Sequence, residues 1–317
     1  MKFSDVYLPL GLILAFVLAF FYPSWGEYLF HINLFGLKIN QIIIFLIFGI
    51  SGYLLKFDNF RFNSHLLISL SGGIIISMLC APLLALILLH IIPLNAGLTI
   101  GVLTISCVPP TMATGIISTT ISKGNTTWAI VFTIVLNAVG VLIVPFTFDN
   151  FVDVVASQKI NALAILQSLF LLVVLPAIIG FFIKKKWGMK KHSLFTYFQP
   201  SAIIFIAFCT VAAGRNNFTK LTPSSIILLL ITVIILHFLL IGVCLLFSKI
   251  KKLKLEETKA FTFVCSQKTL PLALSILAIL PTEIATLATI PCLLYHLSQV
   301  FIDSFIAYFW QKKQDQI

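Results

Sequence analysis

Runs of about 17–25 apolar residues, each long enough to cross ~30 Å of hydrocarbon as a helix, recur along this chain from end to end. They fall at 7–23, 39–55, 65–91, 96–122, 125–147, 161–183, 198–214, 224–248, 258–280 and 283–310. Inside a bilayer every backbone N–H and C=O needs a partner within the protein, and a helix supplies them all locally. No hydrophilic stretch between the runs is long enough for a separate soluble domain. Charged residues make up 10% of the chain and mean hydropathy is +1.10, against the ~25% charge of a soluble domain. The predicted fold class is an all-α polytopic membrane protein with about ten transmembrane helices.

The formal charge of +11 suggests nucleic acid until the positions of the charges are read. With the N-terminus inside, alternate loops hold sixteen of the 21 basic residues, including Lys184–Lys186, Lys190, Lys191, Lys249, Lys251, Lys252 and Lys254. The opposite loops hold Lys38, Lys159, Arg215 and Lys220, and Lys268 lies within a span. That asymmetry is the positive-inside rule; it predicts cytoplasmic termini, and nucleic acid is not a partner. The lysine clusters could also touch anionic lipid. Lys2 before an apolar run imitates a signal peptide, but Phe20-Phe21-Tyr22-Pro23 is too bulky for a cleavage site, so 7–23 is read as a retained helix. The six cysteines all fall in apolar runs without metal spacing, as small buried side chains.

The chain divides into 1–150 and 151–317, five runs each. An odd number of spans starts the second half on the opposite side, so any repeat between the halves is inverted, as in many secondary transporters. The fourth run carries Cys107-Val108-Pro109-Pro110-Thr111 and the ninth Cys265-Ser266-Gln267-Lys268-Thr269-Leu270-Pro271. Prolines and hydroxyl residues at matching mid-span positions predict paired broken helices around a midplane binding site.

Lys268 is the sharpest candidate. It sits near the centre of its run, roughly 15 Å from either edge at ~1.5 Å per residue, too far for a lysine to snorkel comfortably. A charge at that depth costs roughly 2.5–3.5 kcal/mol on insertion scales, so it marks function. It could release a proton during transport or stay charged as a built-in counter-ion. Ser266, Gln267 and Thr269 beside it, with Thr111, Thr114, Ser118 and Thr119 on the fourth run, supply oxygens suited to a hard cation such as Na⁺, while half-helix N-termini favour an anionic group. Thr133 and Asn137 share a helix face at i, i+4, and Ser77 lies five residues before Pro82. His296 and Asp303 share a face seven residues apart; Asp303 is expected to pair with a lysine or to take part in coupling. His90 and His237 read as packing or interfacial residues. HExxH, GxSxG and P-loop motifs are absent, so an enzyme is not expected.

The stretch Pro110, Lys123-Gly124-Asn125, Thr133, Asn137 and Pro145, with Ser266-Gln267-Lys268-Thr269-Leu270-Pro271 and Tyr295-His296, resembles the bile acid:sodium symporter family. The nearest likeness is to its SBF-like bacterial branch, similar to human solute carrier family 10 member seven. The resemblance implies two inverted five-helix repeats, with helices three to five and eight to ten forming a core domain. Helices one, two, six and seven would form a panel, and the broken fourth and ninth helices would cross near two sodium sites. Carried over by position, Thr133 and Gln267 match sodium ligands. Ser77 replaces a glutamine and Ala129 a serine, the Ser-Asn ligand pair falls at Thr114-Gly115 or Gly115-Ile116, and the shared glutamate falls at Phe263. Lys268, in place of an asparagine, could substitute electrostatically for the cation.

These readings converge on an inner-membrane secondary transporter of an organic, anionic solute, working by alternating access as a monomer or weak homodimer. Na⁺ is the candidate coupling ion. Proton-coupled or uncoupled transport with Lys268 replacing the cation is the alternative, and a non-transporting membrane regulator the third.

Overall fold

The computed structural model describes residues 3–34, 36–54, 64–111, 113–156, 162–187, 193–218 and 221–315. Lys159, Lys190, Lys191 and Lys220 lie outside them. The described residues of the apolar runs are mostly helical, and the runs at 96–122 and 258–280 are interrupted in mid-span where their prolines fall.

Helix α1 (Phe3–Phe21) turns by 100° into α2 (Pro23–His31). Pro23 has no N–H for the preceding turn and disfavours helical dihedrals at the residue before it. Tyr22 accordingly sits at φ −126°, ψ 56°. A two-stranded antiparallel ribbon, β1 (Asn33–Leu34) with β2 (Leu37–Lys38), leads into α3 (Ile39–Leu54). Helix α4 (Ser64–Ile75) passes through a π-helical turn, Ile76–Cys80, into α5 (Ala81–Ile91). Asn95 caps α6 (Ala96–Cys107) by accepting from Leu98 N at 3.0 Å. Then come α7 (Thr114–Ile121) and the long α8 (Thr126–Ala156). The expected midpoint at 150–151 thus falls inside α8.

In the second half α9 (Ala162–Leu169) joins α10 (Leu175–Trp187) through a π-helical turn, Phe170–Val174. Helices α11 (Ser193–Ala213), α12 (Arg215–Phe218) and α13 (Pro223–Ile250) follow. The last three are α14 (Leu255–Ser266), α15 (Leu270–Leu277) and α16 (Thr282–Asp315). Among the described residues six stretches are long and apolar enough to cross a membrane: Ser64–Ile91, Thr126–Phe151, Leu163–Lys186, Pro223–Ile250, Leu255–Leu277 and Thr282–Lys312. The bent pair Leu10–Phe21 with Pro23–His31 makes a seventh if counted as one span. Ile39–Tyr53, Ala96–Cys107 and Tyr197–Ala213 are shorter apolar helices. The chain is an integral membrane protein.

Helices α1, α2, α3, α10 and α11 pack mainly on one another, whereas α4–α8 and α13–α16 form a second group. Small residues set the tightest contacts. A Cβ on Gly180 would lie 1.9 Å from Gly49 O, and one on Gly101 2.2 Å from Ala288 O, so in α3–α10 and α6–α16 backbone meets backbone. Outward faces are apolar: Phe21, Ile91, Leu142 and Phe305 are all exposed, as a lipid-facing surface requires.

Candidate functional site

The second group is organised around two helix breaks. Helix α6 ends at Cys107, Val108 is extended (φ −72°, ψ 153°), and α7 begins at Thr114. Helix α14 ends at Ser266, Gln267 is extended (φ −76°, ψ 159°), and α15 begins at Leu270 with Pro271 in its first turn. Pro109 and Pro110 cannot donate, so carbonyls near the first break lose their helical partners. The breaks touch: Thr269 N donates to Pro109 O at 2.9 Å. Helix α6 packs on α15 and α7 on α14.

Lys268 lies at this crossing, fully buried. An ammonium has three donors and no acceptor. It donates to Ser77 O, to Ser77 Oγ at 3.2 Å and to Val108 O at 3.1 Å. Both carbonyls have a reason to be open. Val108 belongs to the break. In the π-helical turn Ala81 N bonds Ile76 O instead of Ser77 O, and the next residue, Pro82, has no N–H. The proline five residues after Ser77 therefore leaves an acceptor that the amine fills. Gln299 holds the backbone of Lys268 from both sides, accepting from its N–H at 2.8 Å and donating to its C=O at 2.9 Å. His296, seven residues before Asp303, turns its Nδ1 to Gln299 Nε2 at 2.9 Å, and its Nε2 is buried without a partner.

Gln267 points the other way. Thr111 and Thr114 hydroxyls lie 2.6 Å and 2.7 Å from its Oε1 and 2.5 Å from each other. Its Nε2 donates to Asp303 Oδ2 at 2.5 Å. Asp303 Oδ1 is 3.0 Å from His237 Nε2, while His237 Nδ1 is 3.2 Å from the Tyr295 hydroxyl, which donates to Ser266 O at 3.2 Å. His237 is therefore neither isolated nor interfacial: it is fully buried and hydrogen-bonded to Asp303, where a lysine was the expected partner. A lone histidine in an apolar run gives no sign of a carboxylate 66 residues away. Gln299 likewise carried no signal except its place one turn after His296.

The remaining candidates line the same region. Asn137 donates from Nδ2 to Pro110 O at 3.0 Å and Thr133 O at 2.8 Å, covering another carbonyl of the first break. Thr133 Oγ1 donates to Ala129 O at 2.8 Å, back into its own helix. Ser266 Oγ is buried and unpartnered, and Thr269 contributes its backbone N–H. Ser118 and Thr119 are buried on α7, where Thr119 Oγ1 donates to Gly115 O. At the opposite end of α7 and α14, Lys259 Nζ donates to Ser122 O at 2.5 Å and Asn125 N to Glu256 O at 2.9 Å, clasping the two half-helices together. His90 is exposed at the end of α5. Among the described residues no group of three His, Cys, Asp or Glu could hold a metal ion.

A cleft of about 1180 Å³ lies beside the crossing, between α8 and the α9–α10 segment, with Phe48, Ser51 and Gly52 of α3 and Leu272 of α15 in its walls. Of the candidate residues, Asn137 lines it; Lys268 and Gln267 do not.

Residues 6–312 match the SBF-like CPA transporter family. The chain is 25% identical over 328 residues to a protein of Oryza sativa subsp. indica named "Probable sodium/metabolite cotransporter BASS4, chloroplastic", covering 98% of this chain and 76% of that one. It is 27% identical over 308 residues to sodium/bile acid cotransporter 7-B of Xenopus laevis, covering 93% and 88%. Against sodium/bile acid cotransporter 7 of Rattus norvegicus the identity is 27% over 225 residues, covering 68% and 66%. These relatives are transporters and not enzymes, and a match across nearly the whole length, over a fold of broken apolar helices, establishes that the chain belongs to the SBF-like CPA transporter family.

Proposed function

We propose that this protein is a secondary active transporter of an organic, anionic solute, in which the ammonium of Lys268 stands in for a bound coupling cation. The observation that carries the proposal is the setting of Lys268: a buried amine at the meeting of two helix breaks, held by two freed carbonyls and a hydroxyl. Carbonyl and hydroxyl oxygens released by broken helices are what transporters use to coordinate Na⁺. A tethered ammonium would supply the same charge at that place. Ser266, Gln267, Thr269, Thr111, Thr114, Thr133, Asn137, Ser77 and His296 would shape the site around it. Movement of the α4–α8 and α13–α16 group against the other helices would give alternating access, with the two chain ends on the cytoplasmic side of an inner membrane.

Sodium symport is the second reading, favoured by the names of the relatives. Its ligands would include Gln267 Oε1 and Thr133 Oγ1. The first is met by two threonine hydroxyls and the second is turned to Ala129 O, so ion entry would require both to re-form. A thermal-shift screen of purified protein against organic anions, with and without Na⁺, selects a solute; uptake into proteoliposomes then decides. Uptake is expected to be indifferent to a sodium gradient and lost in Lys268→Gln. Uptake that follows the sodium gradient, and survives in Lys268→Gln, would reverse the order of the two readings.

A further inference from the structure

We propose that α2, with the turn that leads into it, is a membrane-interface anchor whose aromatic face beds into the ester and headgroup level of one lipid leaflet. Helix α2 packs mainly on α1, α3 and α11, not on the helices of the crossing, so the surface depends on neither reading above. The path of the chain sets its level. Helix α1 runs alongside α11 in the same direction: Tyr7 Oη is 2.8 Å from Ser201 Oγ, and Gly11 packs against Ile204. After the 100° turn at Tyr22-Pro23, Gly26 rests on Phe208 and Ala212, at the end of α11. Helix α2 and the ribbon after it therefore carry the chain from the end of α1 to the start of α3 across one surface of the membrane domain.

Three faces of α2 meet three surroundings. Gly26 and Phe30, at i and i+4, are buried against the protein. Ser24, Glu27 and His31, at i, i+3 and i+7, form an exposed polar flank suited to water. Tyr22, Trp25 and Tyr28, three residues apart, form the third face and are 63%, 74% and 70% exposed. A helix lying in the plane of an interface needs this division between a polar side and an apolar one.

The residue types select the occupant. Along α1 the exposed side chains include Leu10, Leu14, Val17 and Phe21, wholly apolar as hydrocarbon demands. Where the span ends they give way to Tyr and Trp, and Phe21 and Tyr22 continue one exposed surface. Each of those rings joins an apolar body to one O–H or N–H that can donate to lipid ester or phosphate oxygens. Trp and Tyr accordingly collect at the boundary between hydrocarbon and headgroups. In water the same face would leave three large rings wet beside an apolar span end. A second copy seated there would give no reason for the change from apolar to amphipathic side chains to fall where the span ends.

The test places nitroxide labels on single cysteines of the full chain in phosphatidylcholine vesicles. Electron spin resonance then compares collisions with oxygen, which concentrates in hydrocarbon, and with a nickel chelate, which stays in water. Labels at Trp25→Cys and Tyr28→Cys should prefer oxygen and report a depth of about 5–10 Å below the headgroups. Labels at Ser24→Cys and Glu27→Cys, one residue before each, should prefer nickel. Nickel preference at all four positions would stand α2 in water and overturns the proposal. So does shielding of positions 25 and 28 from both reagents with spin–spin broadening, which would mean that a second copy covers the face. A second measurement leaves α2 untouched. Trp128→Phe/Trp187→Phe/Trp310→Phe retains Trp25 as the one tryptophan. Its emission should be quenched more by phosphatidylcholine brominated near the top of the acyl chain than by lipid brominated near the chain end. Quenching that is absent, or equal for the two lipids, overturns the proposal as well.

Discussion

An ammonium within hydrocarbon persists only where oxygens replace the water it has lost, and each oxygen then depends on the amine in return. Ser77 O and Val108 O are such oxygens. Lys268→Met removes their donor while keeping most of the side chain's volume, and a buried carbonyl left unpaired costs about 1–3 kcal/mol. The variant should unfold earlier in a denaturant titration by that order, and an unchanged midpoint would mean that the carbonyls had found other partners. A second dependence joins His237 to Asp303. In a double-mutant cycle of His237→Phe and Asp303→Asn the coupling energy should be about 0.5–3 kcal/mol, the range for residues in direct contact. Additive losses would show that the two groups do not support each other. These pairs mark the boundary of what single residues reveal in sequence. Lys268 stood out because a charge in an apolar run is costly wherever it points. His237 did not, because an imidazole can be neutral and packed, and its meaning rests on Asp303 and Tyr295 from another helix.

Along the helices, prolines decide where backbone groups are released, and the neighbouring side chains decide which partner takes those groups up. Pro109, Pro110 and Pro271 mark breaks that were legible as interruptions with polar flanks. Pro82 stands out in the sequence only by its spacing from Ser77; its role emerges with the π-helical turn before it and the amine opposite. Pro82→Ala restores an N–H that can close onto Ser77 O, in competition with Lys268. The amide protons around Ile76–Cys80 should then exchange more slowly, and Lys268 should react more readily with an amine reagent. Unchanged exchange would mean that the turn is held by packing and not by the missing donor. The pairing of α6 with α16 makes a different demand. Gly101 has Ala288 O where a Cβ would be, so Gly101→Val must drive the helices apart. The buried Cys292, whose Sγ reaches Gly101 O at 3.4 Å, should become reactive to a small maleimide in that variant and stay inert in the wild type.

At the scale of the whole molecule the positive-inside rule predicts an orientation from charges that lie far from the site. Apolar length and charge alternation along the sequence were enough to indicate a membrane domain, because lipid imposes one backbone solution on every span. They could not say which helices pack together: α3 with α10, and α6 with α16, meet through glycines whose partners are more than a hundred residues distant. Orientation remains a matter of lysines. Lys185 and Lys251, at the ends of α10 and α13, should lie on the cytoplasmic side, and Arg215, after α11, on the other. Lys185→Cys, Lys251→Cys and Arg215→Cys are exposed positions, whereas five of the six native cysteines are buried and Cys80 is half-buried, so background labelling should be low. A membrane-impermeant maleimide added to intact cells should label Arg215→Cys alone, and the two lysine positions should react only after the membrane is opened. Labelling of Lys185→Cys from outside would invert the molecule. It would leave the crossing of the broken helices as it is.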